Sequence, residues 1–191
     1  MILLAKKRLV CLSVICMLIA FGNSAAAATL SFNPSMSTID VGDELGIEIM
    51  VSGLEDVDLG AFDLNVNYDD SRLSFVNYLL GSQLGVIPDD ATDWSEGDLG
   101  GGVINLAELS LLDDLSFQLD SFTLATLTFE GAGVGISPLS FSDVDLGDEL
   151  GDPIGVFMEN GSVNVVPVPA AIWLFGSGLI GLAGVRRKFK K

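Results

Sequence analysis

The sequence predicts an all-β domain, a β-sandwich or jelly roll, and three observations carry that reading. A period of two dominates the stretch between residues 29 and 165. Clusters of Gly, Asn, Asp and Ser interrupt it at short intervals. No segment within it carries a convincing helical stripe. Short strands separated by turn signals bury their apolar faces by packing as two facing sheets.

Taken in order, Thr29 to Phe32 is the first strand candidate. Ile47, Ile49 and Val51 then alternate with Glu48 and Met50, and Phe62, Leu64, Val66 and Tyr68 alternate with Asp63, Asn65 and Asn67. Both runs read as half-buried strands, apolar on one face and polar on the other. Leu73 to Leu80, Val103 to Leu109, Phe122 to Phe129 and Pro138 to Phe141 follow, and Val163 and Val165 flank Asn164 at the end. Within Phe122 to Phe129 the apolar parity switches, with Phe122 and Leu124 even but Leu127 and Phe129 odd; this predicts a β-bulge or a strand buried on both faces. Leu109 to Leu119 is ambiguous. Turn signals lie between, as in Asp98-Leu99-Gly100-Gly101-Gly102 and Gly131-Ala132-Gly133-Val134-Gly135. Asn160-Gly161-Ser162 reads as a glycosylation sequon or, more simply, as a hairpin with Asn-Gly at its centre.

The charge distribution separates this body from two flanks. The 191 residues hold 26 acidic and 9 basic side chains, a net charge of -17. Every acid lies between Asp40 and Glu159, and Arg72 is the one cation among them. Such a balance excludes a nucleic-acid binder, which needs a basic footprint. The chain has no histidine, which excludes Ser-His-Asp and Cys-His mechanisms and His-containing zinc sites.

Residues 1–28 read as a secretory signal peptide. Lys6, Lys7 and Arg8 precede an apolar run from Leu9 to Phe21, and the alanine cluster places the cut after Ala27 or Ala28. An uncleaved anchor is the alternative. Cys11 and Cys16 both fall in this head, so cleavage leaves no thiol for disulfides, metal binding or catalysis. At the other end, Val166 to Val185 carries no charge and matches the thickness of a bilayer core as a helix. The expected transmembrane helix is 170–185, followed by a basic tail over 186–191 with Arg186, Arg187, Lys188, Lys190 and Lys191. The positive-inside rule places that tail in the cytoplasm and the acidic body outside.

Val166-Pro167-Val168-Pro169-Ala170-Ala171, the apolar run and the Arg186-Arg187-Lys188 terminus resemble the PEP-CTERM sorting signal, in its VPLPA-type variant. The resemblance implies recognition by an exosortase-like membrane protease, cleavage near the motif, and delivery to the cell surface or extracellular matrix. The body between 29 and 165, through Leu59 to Asp69, Leu73 to Val76, Gly81 to Gly85, Phe122 to Phe129 and Gly161 to Val165, resembles a cohesin-like jelly-roll β-sandwich. That likeness implies dockerin-type or carbohydrate partners.

Candidate site residues are few. Glu55 to Gly60 and Asp143 to Asp148 share a D-V-D-L-G string, so Asp56, Asp58, Asp143, Asp145 and Asp148 are candidate Ca²⁺ ligands, with solvated acidic loops as the alternative. Tyr68, Tyr78 and Trp94 are the rings available to stack a sugar, with core or loop packing as the alternative. Asp69-Asp70 and Asp113-Asp114 fit turn chemistry better than a pair of catalytic carboxylates. The expected protein is therefore exported, non-enzymatic and engaged in adhesion or scaffolding. The competing expectation is a carbohydrate- or dockerin-binding module in polysaccharide catabolism.

Overall fold

A computed structural model describes residues 27–55 and 57–168. Residues 1–26 of the expected signal peptide, the expected membrane helix and the basic tail lie outside the described residues. Twelve strands follow in order: β1 (Ala27–Asn33), β2 (Met36–Asp40), β3 (Glu44–Ser52), β4 (Leu59–Asn67), β5 (Leu73–Leu80), β6 (Ala91–Asp93), β7 (Gly97–Asp98), β8 (Val103–Ser110), β9 (Ser121–Gly131), β10 (Gly135–Asp148), β11 (Gly155–Met158) and β12 (Gly161–Val166). They form a five-stranded sheet, β11-β1-β3-β9-β5, and a seven-stranded sheet, β2-β12-β10-β4-β8-β6, with β7 on β8. The all-β sandwich expected from the period-two pattern is what the chain forms.

The alternating residues divide as the sequence implies. Ile47, Ile49 and Val51 of β3 are fully buried, as are Leu64 and Val66 of β4 and Leu127 and Phe129 of β9. Phe32 and Phe141 stack across the two sheets at 4.2 Å, and Phe129 receives Tyr68 at 5.1 Å and Phe75 at 6.1 Å. The parity switch in β9 is a bulge. Ile49 pairs Ala125 while Met50 pairs Thr123, so Leu124 is the extra residue, and both Leu124 and Ala125 are buried.

Other expectations are corrected. Asn160-Gly161 is not a hairpin, because β11 and β12 belong to different sheets. β11 pairs in parallel with β1, and β12 in parallel with β2. The chain therefore changes sheets twice in the same way, between β1 and β2 and again between β11 and β12. Gly161 sits where a side chain would crowd Phe32 and the Ser35 carbonyl. The ambiguous stretch 109–119 forms no helix: β8 ends at Ser110 and a loop follows, pinned by buried Leu115 and by Gln118, which bonds both backbone groups of Leu59. Strands β2, β6, β7 and β11 are additions that the alternating pattern does not announce. Phe32, Phe62, Phe122, Phe129 and Phe141 are buried, while Phe117 and Phe157 are exposed.

The registers fix two poles. At one, β12 ends beside the β2–β3 turn, the β4–β5 turn and the β9–β10 loop; this is the C-terminal pole. At the other, β1 begins beside the β3–β4, β8–β9 and β10–β11 connections. The C-terminal pole is knit by backbone bonds. Val41 N–H donates to the Val166 carbonyl (3.0 Å), Gly42 N–H to Gly131 (2.8 Å), and Ala132 and Gly133 N–H to the Arg72 carbonyl (2.8 and 3.1 Å). The Arg72 guanidinium in turn donates to the Val134 carbonyl and lies 3.8 Å from the Asp69 carboxylate.

Gly102 serves the same pole. Its φ is +78°, a Cβ there would overlap the Tyr68 carbonyl, and its own carbonyl accepts from Tyr68 N–H at 2.8 Å. Gly102→Ala is expected to lower stability by about 2 kcal/mol, through strain and clash together. Urea unfolding checks this; an unchanged midpoint would show that the turn relaxes freely.

Candidate binding face

The outer face of the seven-stranded sheet concentrates the polar residues that alternate with the core. On β4 these are Asp63, Asn65 and Asn67; Asn105 faces them from β8 and Ser142 from β10, with Asn65 paired to Asn105 on one side and to Ser142 on the other. The side chains bond across the strands. The Asn105 amide donates to Asp63 Oδ1 (2.8 Å) and Asn65 Oδ1 (3.1 Å), while Asn105 Oδ1 accepts from Glu96 N–H (3.0 Å). The Asn65 amide donates to Asp143 Oδ2 (3.0 Å), and the Asn67 amide to Ser142 Oγ (2.9 Å).

Asp143 reaches Asn65 because β10 bulges. One residue separates Asn65 from Asp63 on β4, whereas two separate Ser142 from Asp145 on β10. Asp143 takes up the extra length at φ +48°, a left-handed conformation that aspartate tolerates better than most residues. The result is a flat polar ladder with its side chains already held in place.

Beside the ladder, toward the N-terminal pole, the same face hollows into a groove of about 530 Å³. Small residues, Ala61 and Ala107, line its floor; Trp94, Leu109, Gly151 and Pro153 flank it, and Asp63 and Asp145 add carboxylates. Trp94 follows β6 and is 69 % exposed. Its backbone is fixed even so: its N–H donates to the Ala107 carbonyl (2.8 Å), and Ser95 Oγ accepts from Ala107 N–H (3.0 Å). An exposed ring on a fixed backbone beside small residues is a ready contact for an apolar or planar partner group.

The next β8 residue, Glu108, has the inward parity of Ile104 and Leu106 and is only 2 % exposed. In register it lies between Phe62 of β4 and Asp93 of β6. Its Oε1 has no hydrogen-bond partner. Burial first, and the Asp93 charge second, push its carboxyl up to about 7. Asp93 is itself held by the Tyr78 hydroxyl, which donates to its Oδ2 at 2.9 Å from the opposite sheet.

The structure scatters the other candidates. Tyr68 packs on Phe129, Tyr78 is tied to Asp93 and only Trp94 stands in the groove, so the three rings form no common platform. Asp56 lies outside the described residues. Asp58 precedes β4, Asp143 bonds Asn65, Asp145 lines the groove, and Asp148 accepts from the N–H groups of Leu150 and Asp152 (both 2.8 Å). Among the described residues no three carboxylates converge as a metal would require.

The paired acids are turn residues at opposite poles. Asp69 accepts from Ser71 Oγ (2.6 Å) and N–H (2.9 Å), and Asp114 from Ser116 N–H (3.0 Å). The Ser71 and Ser116 hydrogen bonds hold these two carboxyls below their ordinary range. Of the expected processing residues, Ala27 and Ala28 open β1, with Ala28 fully buried, and Val166 closes β12. Pro167 and Val168 follow it; Pro169, Ala170, Ala171 and the basic tail lie outside the described residues.

Sequence reasoning missed Asn65, Asn67, Asn105 and Glu108 as site residues. The asparagines are visible there only as the polar members of alternating strands. Glu108 carries a signal, an acid in step with Ile104 and Leu106.

Comparison with known proteins bears on both parts of the chain. Residues 165–188 match the PEP-CTERM protein-sorting motif. No curated protein matches. Among solved structures, the body resembles a type II cohesin domain from the cellulosome of Acetivibrio cellulolyticus, with 20% identity, 72% of this chain and 94% of that one covered, and a TM-score of 0.61. It also resembles a chain in the structure of a type I cohesin–dockerin complex from Clostridium thermocellum (15% identity, 74% and 95% covered, TM-score 0.59). A third likeness is to a non-cellulosomal cohesin from the archaeon Archaeoglobus fulgidus (16%, 76% and 94%, TM-score 0.55). The body thus has the cohesin fold, and the chain carries a PEP-CTERM motif where the body ends.

Proposed function

We propose that this is an exported surface or matrix protein, processed at its C-terminal signal by an exosortase-like protease, whose sandwich is a non-catalytic binding module for adhesion or scaffolding. Its partner docks on the outer face of β10-β4-β8-β6. The observation that carries this is the groove beside the ladder: an exposed Trp94 on a fixed backbone, next to polar side chains that already satisfy one another. Binding there orders little that is not ordered already. The groove also lies toward the pole opposite the sorting signal, so a body tethered by its C-terminus presents it outward.

The likeness to cohesins that were solved with dockerins favours a protein partner. A polysaccharide is the other reading, favoured by the flat Asn and Asp ladder, and the same experiment separates the two. Processed protein is tested by calorimetry against dockerin modules and on a glycan array, beside Trp94→Ala. Saturable protein binding that weakens roughly thirty-fold in the variant, a loss of about 2 kcal/mol, is expected. Binding untouched by the substitution would remove the groove as the site, and binding to glycans alone would select the second reading.

A further inference from the structure

The sorting signal and the fold share residues. The PEP-CTERM match begins at residue 165, inside β12. Val165 is fully buried, and Val166 pairs with Asp40 while its carbonyl accepts from Val41 N–H. β12 is an interior strand, bonded to β10 on one side and β2 on the other. No linker therefore separates the sandwich from the segment to be cut. Four residues, from Val166 to the start of the expected membrane run at Ala170, reach at most about 14 Å when fully extended. The body they tether is broader: two sheets packed roughly 10 Å apart, with strands spaced about 4.8 Å within each. Whatever holds residues 167–170 must meet the C-terminal pole.

We infer that this pole, made of the β2–β3 turn, the β4–β5 turn and the β9–β10 loop, is a docking surface for the membrane-bound protease that reads the signal. The surface is preformed, since the bonds through Val41, Gly42, Gly131 and Arg72 join its three segments into one rim with the end of β12. Its charge selects the partner. Asp40, Asp43, Asp69 and Asp70 lie on it, with Arg72 turned onto Asp69 and Val134. An anionic lipid surface repels such a rim, whereas a protein presenting cationic and polar groups complements it. This inference rests on the processing proposed above and adds that the folded body takes part in it.

The test uses the full chain, expressed in a host that holds the protease, with conversion to the processed form followed by mass spectrometry of the C-terminus. Asp43→Lys combined with Asp70→Lys changes two exposed acids of the pole. Asp89→Lys with Asp113→Lys makes the matched change at the opposite pole. The first pair is expected to slow conversion roughly tenfold, the equivalent of about 1.4 kcal/mol of lost contact, and the second to leave it unchanged. A flexible Gly-Ser insert between Val166 and Pro167, which frees the signal from the pole, is expected to abolish the difference between the two pairs. Thermal melting confirms that each variant is folded.

Equal conversion of both pairs would overturn the inference while leaving processing itself intact. Faster conversion of the first pair, with tighter binding to vesicles rich in phosphatidylglycerol, would assign the pole to lipid instead. A wild-type chain that keeps Lys191 would sink the processing reading, and this inference with it.

Discussion

Replacing Glu108 by leucine is expected to stabilise the body by about 3 kcal/mol at pH 8 and by much less at pH 5. The carboxyl stands at about 7 in the folded state against 4.5 for a free glutamate, chiefly because it is buried, and Oε1 finds no donor. A raised acid makes its full contribution below the unfolded value and loses it as pH rises through the folded one. The native protein thus sheds stability between pH 4.5 and about 7, by about 1.4 kcal/mol for each pH step of one across that window. Leucine has no proton to lose and leaves no charge under the sheet. Melting curves at the two pH values decide the matter: an increment that is the same at both would mean that packing, not ionisation, sets the effect. Asp93→Asn in the wild-type background should move the same transition downward, since the Asp93 charge is the second cause of the raised value.

Phe129→Ala is expected to cost about 4 kcal/mol, out of a total that for a domain of this kind is of order 5–15 kcal/mol. Phe129 is fully buried on β9, an interior strand between β3 and β5, and its ring meets those of Tyr68 and Phe75. Tyr68 in turn is bonded through its backbone to Gly102, so the cavity would loosen the C-terminal pole as well as the core. Urea unfolding of the variant beside Phe129→Leu, which keeps most of the volume, separates the cavity from the loss of the ring contacts. A loss below about 1 kcal/mol for the alanine variant would mean that the site collapses to fill the void.

These two residues also show what is legible in the sequence. Phe129 lies in a run whose parity switch announces both its burial and the bulge at Leu124. Leu73 to Leu80 is a strand from its first residue to its last. Short elements fail the same test. Met36-Ser37-Thr38-Ile39-Asp40 has too few alternations to rise above a loop, and Gly155 to Met158 becomes a strand only because β1 offers it a parallel edge. The candidate binding face is out of reach for a related reason. Asn105 and Asp63 are 42 residues apart and Asn65 and Asp143 are 78 apart, so their bonds depend on registers that no local pattern contains. The Asp143 bulge shifts β10 by one residue and decides which acid meets Asn65. Glu108 differs in that its parity places it inside, while its chemistry argues against that; taking the parity at its word finds it.

The position of β12 has a mechanical consequence. Under the function proposed above, a partner in the groove and an anchor beyond Val166 would pull toward opposite poles, along the strand axes. β12 is gripped on both flanks by hydrogen bonds that run roughly at right angles to that pull. Force applied this way shears the strand rather than peeling it, so its bonds share the load and must yield together. Lifetime under load is then governed by the unfolding rate rather than by equilibrium stability. Under the function proposed above, such a topology would suit a tether under tension.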